Sequence, residues 1–128
     1  ITLNTKENRM NNINVVVDVP DEFLDGILTT AFEGGSNYWL VSVSLKPKPD
    51  TPITSRKFEL NHPEIISMGC ALYCDSEDNG RAVLTKDKLL NAIEWYIGIN
   101  GLGVLDDHDA QDSDTILQYA LFGEVVYG

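Results

Sequence analysis

The sequence predicts an α+β domain, with a mostly antiparallel sheet packed against about three helices. Three observations carry this expectation. Segments 13–19 and 38–45 alternate at a period of two, which suits strands with one buried face. Three other segments repeat apolar residues at helical spacing. The strand-like segments fall in hairpin-like groups instead of alternating strictly with helices, which separates α+β from α/β architecture. A chain of 128 residues, 43 % hydrophobic, fits one domain with an ordinary core. Residues 13–128 form that domain, and the polar, asparagine-rich stretch 1–12 reads as a flexible arm.

In 13–19, INVVVDV, Ile13, Val15, Val17 and Val19 share one face of the first predicted strand. Pro20 suits the first position of a helix. Asp21, Glu22 and Asp25 favour its positive end, and Phe23, Leu24, Ile27, Leu28, Ala31 and Phe32 form its apolar stripe. Gly34-Gly35 is expected to stop this helix in a left-handed turn near residue 33. In 38–45, Trp39, Val41, Val43 and Leu45 are expected on one face, with Tyr38, Leu40, Ser42 and Ser44 on the other. The proline-broken stretch 46–52 is a loop, 55–60 a short edge strand, and His62 before Pro63 a turn residue. Ala71 to Cys74 and Arg81 to Leu84 flank DSEDNG, whose Asn79-Gly80 marks a hairpin. Thr85 caps a second long helix over 86–97, with Leu89, Leu90, Ile93, Tyr96 and Ile97 inward, broken by Gly98, Gly101 and Gly103. Ser113 or Asp114 caps a third helix over 114–122, and EVVYG closes the chain as a terminal strand.

Charge bounds the function. Twenty acidic residues against nine basic ones leave a net charge of −11. From Gly101 to Gly128 the chain holds Asp106, Asp107, Asp109, Asp112, Asp114 and Glu124 and no Lys or Arg. Such a surface repels phosphates and anionic lipid, so direct nucleic-acid and membrane binding are disfavoured. No apolar run approaches the roughly 20 residues of a membrane helix, and the polar N-terminus lacks a signal-peptide core. The expected location is the cytoplasm. Cys70 and Cys74 are expected to be free thiols, because residues four apart in a strand lie about 13 Å from each other, beyond disulfide reach.

The candidate chemistry is sparse. Asp107, Asp109 and Gln111 have the spacing that opens a calcium loop, but Asp112 stands where its turn glycine belongs and Gln118 where its bidentate Glu belongs. The acids around His108 favour its protonated form, yet no nucleophile is marked beside it. No metal motif, cofactor or catalytic residue is assigned. Gly34-Gly35-Ser36-Asn37 follows a helix instead of leading into one, so it is a turn and not a phosphate cradle. Tyr38 and Trp39, with Tyr119, Phe122, Glu124 and Tyr127, are candidates to line a pocket or partner interface. Core packing is the simpler account of the same aromatics. Lys46, Lys48, Arg56 and Lys57 form a basic cluster, read as a solubilising edge.

FEGGSNYW at 32–39 and DTILQYALFGEVVYG at 114–128, with the helix start of Leu84, Thr85, Lys88, Leu89 and Leu90 between them, resemble small acidic proteins encoded by bacteriophages and prophages. The resemblance implies a mobile-element origin for most of 13–128 and carries over no functional residue. Three functions follow as expectations. The first is a non-enzymatic accessory protein that binds a host protein, such as a defence or nucleic-acid-handling protein, through Asp106, Asp107, Asp109 and Asp112, whose carboxylates can imitate a phosphate track. The second is a binder of a small molecule or nucleotide signal between Gly34-Gly35 and the last helix. The third is a metal-dependent hydrolase using Asp107, His108 and Asp109.

Overall fold

The computed structural model describes residues 11, 13, 15–46 and 62–128. All but residue 11 of the expected arm over 1–12, the expected proline loop after Lys46, the expected edge strand at 55–60, and Lys48, Arg56 and Lys57 of the basic cluster lie outside the described residues. The chain forms a single α+β domain. Among the described residues, three antiparallel strands, β1 (Leu40–Lys46), β2 (Ala71–Ser76) and β3 (Gly80–Leu84), stand in that order in one sheet. Four helices pack with it: α1 (Asp21–Thr30), α2 (His62–Ser67), α3 (Lys86–Asn100) and α4 (Ala110–Phe122).

The segment 15–19 is not a strand. It leads into Pro20 without joining the sheet, and Val15 and Val16 are 67 % and 91 % exposed. Alternation records what a strand's side chains would bury. It does not supply the neighbour whose backbone a strand needs. Pro20 sits at the N-cap of α1, one place earlier than expected. Phe23, Leu24, Ile27 and Leu28 are buried along its stripe. The helix then widens into one π-helical turn, Ala31–Gly35. Neither Gly34 nor Gly35 adopts a positive φ. Gly35 serves close approach instead, since a Cβ there would lie 2.7 Å from the Ala110 carbonyl oxygen.

The second predicted strand begins at Leu40, leaving Tyr38 and Trp39 in a tight turn whose Trp39 and Leu40 N–H groups donate to the Ser36 carbonyl. A register shift between Leu40 and Ser42 marks a β-bulge. It breaks the expected parity: Val43 and Leu45 stay partly buried, but Val41 turns outward. The β2–β3 hairpin forms as expected, with Gly80 at φ 69°. In β2, Leu72, Cys74 and Ser76 are buried on one face. Cross-strand neighbours Ser42, Asp75 and Arg81 join on the other, where Arg81 Nε donates to Asp75 Oδ1 at 2.8 Å and Ser42 donates to Oδ2 at 2.9 Å.

His62 opens a helix instead of a turn: Pro63 occupies its first turn, Glu64 faces the positive end, and Ile65 and Ile66 are buried. Thr85 caps α3 by accepting from the Lys88 N–H at 3.2 Å. This helix runs through Gly98 and ends only at Gly101, where φ is 85°. One isolated glycine costs a helix about 1 kcal/mol, less than flanking turns return. Leu89, Ala92, Ile93 and Tyr96 form its buried stripe, with Leu90 and Ile97 partly covered. Lys86 draws three helices together, bonding the Asp21 carboxylate at 3.1 Å and the Ser67 carbonyl at 3.0 Å. A short 3₁₀ turn, Leu102–Leu105, tucks Val104 into the core. The last five residues do not form a strand; they follow the left-handed Gly123 as a tail over the sheet end of the molecule.

Cys70 and Cys74 are free thiols, as expected. Burial, with Asp75 next to it, pushes the Cys74 thiol up to about 12, while Cys70 is only half-buried. Alkylation of the native protein at mildly alkaline pH is expected to label Cys70 and spare Cys74, with both labelled after unfolding. Peptide mass mapping reads the outcome, and rapid native labelling of Cys74 would show that its strand opens.

Candidate functional site

Helix α4 starts four residues earlier than expected. Asp109 is its N-cap, accepting from the Asp112 N–H at 2.8 Å, while Asp112 accepts from the Asp109 N–H at 3.0 Å. This reciprocal capping box satisfies two orphan donors at once, which neither Ser113 nor Asp114 does alone. With the start fixed at Ala110, Asp114 and Gln118 lie one turn apart on the inward face. Both are buried. The close approach at Gly35 brings the 36–39 turn against them.

A polar network fills this contact. Asp114 Oδ1 accepts from Ser36 Oγ at 2.8 Å and from Trp39 Nε1 at 2.7 Å. Asp114 Oδ2 accepts from the Tyr38 hydroxyl at 2.5 Å and Gln118 Nε2 at 3.1 Å. Gln118 extends the network to the tail: its Oε1 accepts from the N–H groups of Val126 and Tyr127 at 2.8 and 2.7 Å, and its Nε2 donates to the Tyr127 carbonyl at 3.2 Å. Tyr127 stacks flat on Trp39 at 5.2 Å and its hydroxyl accepts from Asn79 Nδ2 at 2.7 Å, tying the tail to the β2–β3 turn. Phe122 meets Trp39 edge-on at 5.6 Å.

An open cavity of about 520 Å³ lies beside this network, lined among others by Tyr38, Asp114, Thr115, Gln118 and Tyr127. Among the described residues, no Lys or Arg lines it. The structure thus brings Tyr38, Trp39 and Tyr127 together, with Trp39 wholly buried behind the cavity wall. Tyr119 lies elsewhere, stacked on Trp95 at 4.0 Å between α3 and α4, and Glu124 is exposed on the tail and does not line the cavity. Ser36 and Gln118 are the members that the sequence analysis missed. In sequence Asp114 reads only as a helix cap. The Asp-Gln spacing of four in a predicted helix is the one local signal that links two of them.

The four acids proposed for partner contact divide into two pairs. Asp106 and Asp107 are exposed on the turn before α4. Asp109 and Asp112 are engaged in the capping box, and the Tyr96 hydroxyl also donates to Asp112. Burial opposes the Asp112 charge, but the Tyr96 bond and the bonds from Asp109 outweigh it and hold its carboxyl below the usual range. His108 is half-buried, edge-on to Phe23 at 5.5 Å. Among the described residues, no group of three or more His, Cys, Asp or Glu is placed to hold a metal ion, and no helix is long and apolar enough to cross a membrane.

Burial and then the bond to Asp114 push Tyr38 up to about 12 from its ordinary 10.0, and burial with Asp112 does the same for Tyr96. The fold therefore favours protonated tyrosine. That contribution is complete below pH 10.0, where both states hold the proton, and is lost as pH rises towards about 12. Urea midpoints are expected to fall across this window, with tyrosinate absorbance from Tyr38 and Tyr96 appearing late. Early ionisation of both would contradict the network.

Comparison with protein-family models, curated proteins and solved structures gives no match for this chain.

Proposed function

We propose that this is a non-enzymatic accessory protein of a bacteriophage or prophage that binds a basic host protein through its acidic surface. The observation that carries this reading is the distribution of charge. Twenty acids stand against nine basic residues, and the segment from Gly101 to Gly128 holds six acids and no Lys or Arg. Of the cations on the described domain, Arg81 and Lys86 already pair with Asp75 and Asp21. The surface around Asp106 and Asp107 holds no compensating cation in sequence from Gly101 onward. A basic partner would be steered towards it over about 8 Å at physiological ionic strength. Resemblance to phage-encoded acidic proteins supports the host as the source of that partner.

Asp106 and Asp107 carry the docking role, because Asp109 and Asp112 are occupied in the cap of α4. The test is capture from host lysate at low and high salt by the wild type and D106N/D107N. A host protein held at low salt, released at high salt and lost with the double variant is the expected outcome. Equal capture by both at every salt concentration would reduce Asp106 and Asp107 to solubilising residues.

A second reading rests on the cavity beside Asp114, which sits between Gly35 and α4. Among the described residues its lining offers hydroxyl, amide and carboxylate groups and no cation, so it suits a neutral or cationic small molecule better than a nucleotide.

A further inference from the structure

The unpaired segment 15–19 lies beside α3, and the two enclose a groove of about 560 Å³. Its floor is apolar, from Leu90, Ile93 and Ile97 on α3 and the valines of the segment; among the described residues, its one charged lining residue is Glu94. Four of the segment's five side chains are β-branched valines, Val16 is 91 % exposed, and the segment is not part of the sheet. The geometry points to this groove as a docking site for an extended basic-amphipathic peptide, added as a strand beside residues 15–19. This rests on the reading that the partner is basic, and names a second surface that holds it.

Each part of the groove selects a feature of the occupant. The backbone of 15–19, which lies in no helix or strand, offers N–H and C=O groups to a neighbouring strand, the main-chain recognition of strand addition. Alternate side chains of that strand would enter the groove against Leu90, Ile93 and Ile97, so they must be apolar. Those between them reach Glu94 in the lining and Asp18 on the segment, both exposed and, among the described residues, neither joined to a cation. Lysine or arginine there completes the charge pattern. A second copy of this chain is the poorer occupant, because it would bring a body of net charge −11 with Asp18 and Glu94 against the same acids.

The probe is a synthetic peptide of alternating lysine and valine, titrated into the ¹⁵N-labelled full chain. Chemical-shift changes are expected on Val15 to Val19, Ile93, Glu94 and Ile97. A glutamate–valine peptide and a lysine–serine peptide should leave them unmoved. V16P removes a main-chain donor and is expected to weaken binding by about tenfold. E94Q is expected to weaken it a few-fold. Both positions are exposed, and circular dichroism confirms that the fold is kept. D106N/D107N should bind the peptide as the wild type does, because those acids lie outside the groove lining. The inference is overturned if the lysine–valine peptide moves no groove resonance, if the glutamate–valine peptide moves them equally, or if the chain alone self-associates in a manner that V16P abolishes. Salt-sensitive host capture lost in D106N/D107N would then still leave the first reading standing.

Discussion

Replacing Asp114 with alanine is expected to lower the unfolding free energy by about 3–5 kcal/mol, because it strands several buried donors together. Ser36 Oγ, Trp39 Nε1, the Tyr38 hydroxyl and Gln118 Nε2 all converge on this carboxylate. Water can reach Tyr38 from the cavity, but Ser36 and Trp39 are wholly buried. Asp114→Asn should recover only part of the loss, since its amide nitrogen sets a donor against donors. Urea denaturation of both variants measures the effect. A loss in Asp114→Ala no larger than that of an ordinary surface substitution, within about 0.5 kcal/mol, would mean that the network adds nothing to stability.

Trp39→Ala is expected to cost a similar amount, about 3–5 kcal/mol, by a different route. Trp39 is fully buried, stacks on Tyr127, meets Phe122 edge-on and donates to Asp114. Its removal leaves a cavity that the tail, held to Gln118, cannot readily fill. Trp39→Phe keeps most of the apolar volume and isolates the lost indole donor. The two sites share a hydrogen bond, so the double variant should lose less than the sum of the single ones. Thermal and urea unfolding followed by circular dichroism reads both. Full additivity would show that the indole and carboxylate do not act together.

The sequence made legible what is locally encoded. The start of α3 follows from Thr85, the hairpin from Asn79-Gly80, and the buried stripe of α1 from the spacing of Phe23, Leu24, Ile27 and Leu28. Other features depend on groups far along the chain. Asp114 looks like a helix cap in its local setting, but its partners at Ser36, Tyr38 and Trp39 lie 75 to 78 residues away. The acidic run before α4 contains several residues able to cap, and only the reciprocal bonds of Asp109 and Asp112 decide among them. That choice also engages two carboxylates of the predicted contact surface in the helix cap. Gly35 is read locally as a helix stop, whereas the reason for it is the carbonyl of Ala110 across the fold. Helix α2, six residues long, is too short to show a helical period. The valines at 15–19 display the pattern of a strand that the sheet does not use.

The direct test of the functional account is the salt dependence of affinity for the captured host protein, measured with purified wild type and D106N/D107N. The account predicts that wild-type affinity falls steeply as salt rises, and that the double variant binds more weakly at low salt with a shallower slope, the two converging at high salt. Superimposable affinities across the whole salt range would contradict it.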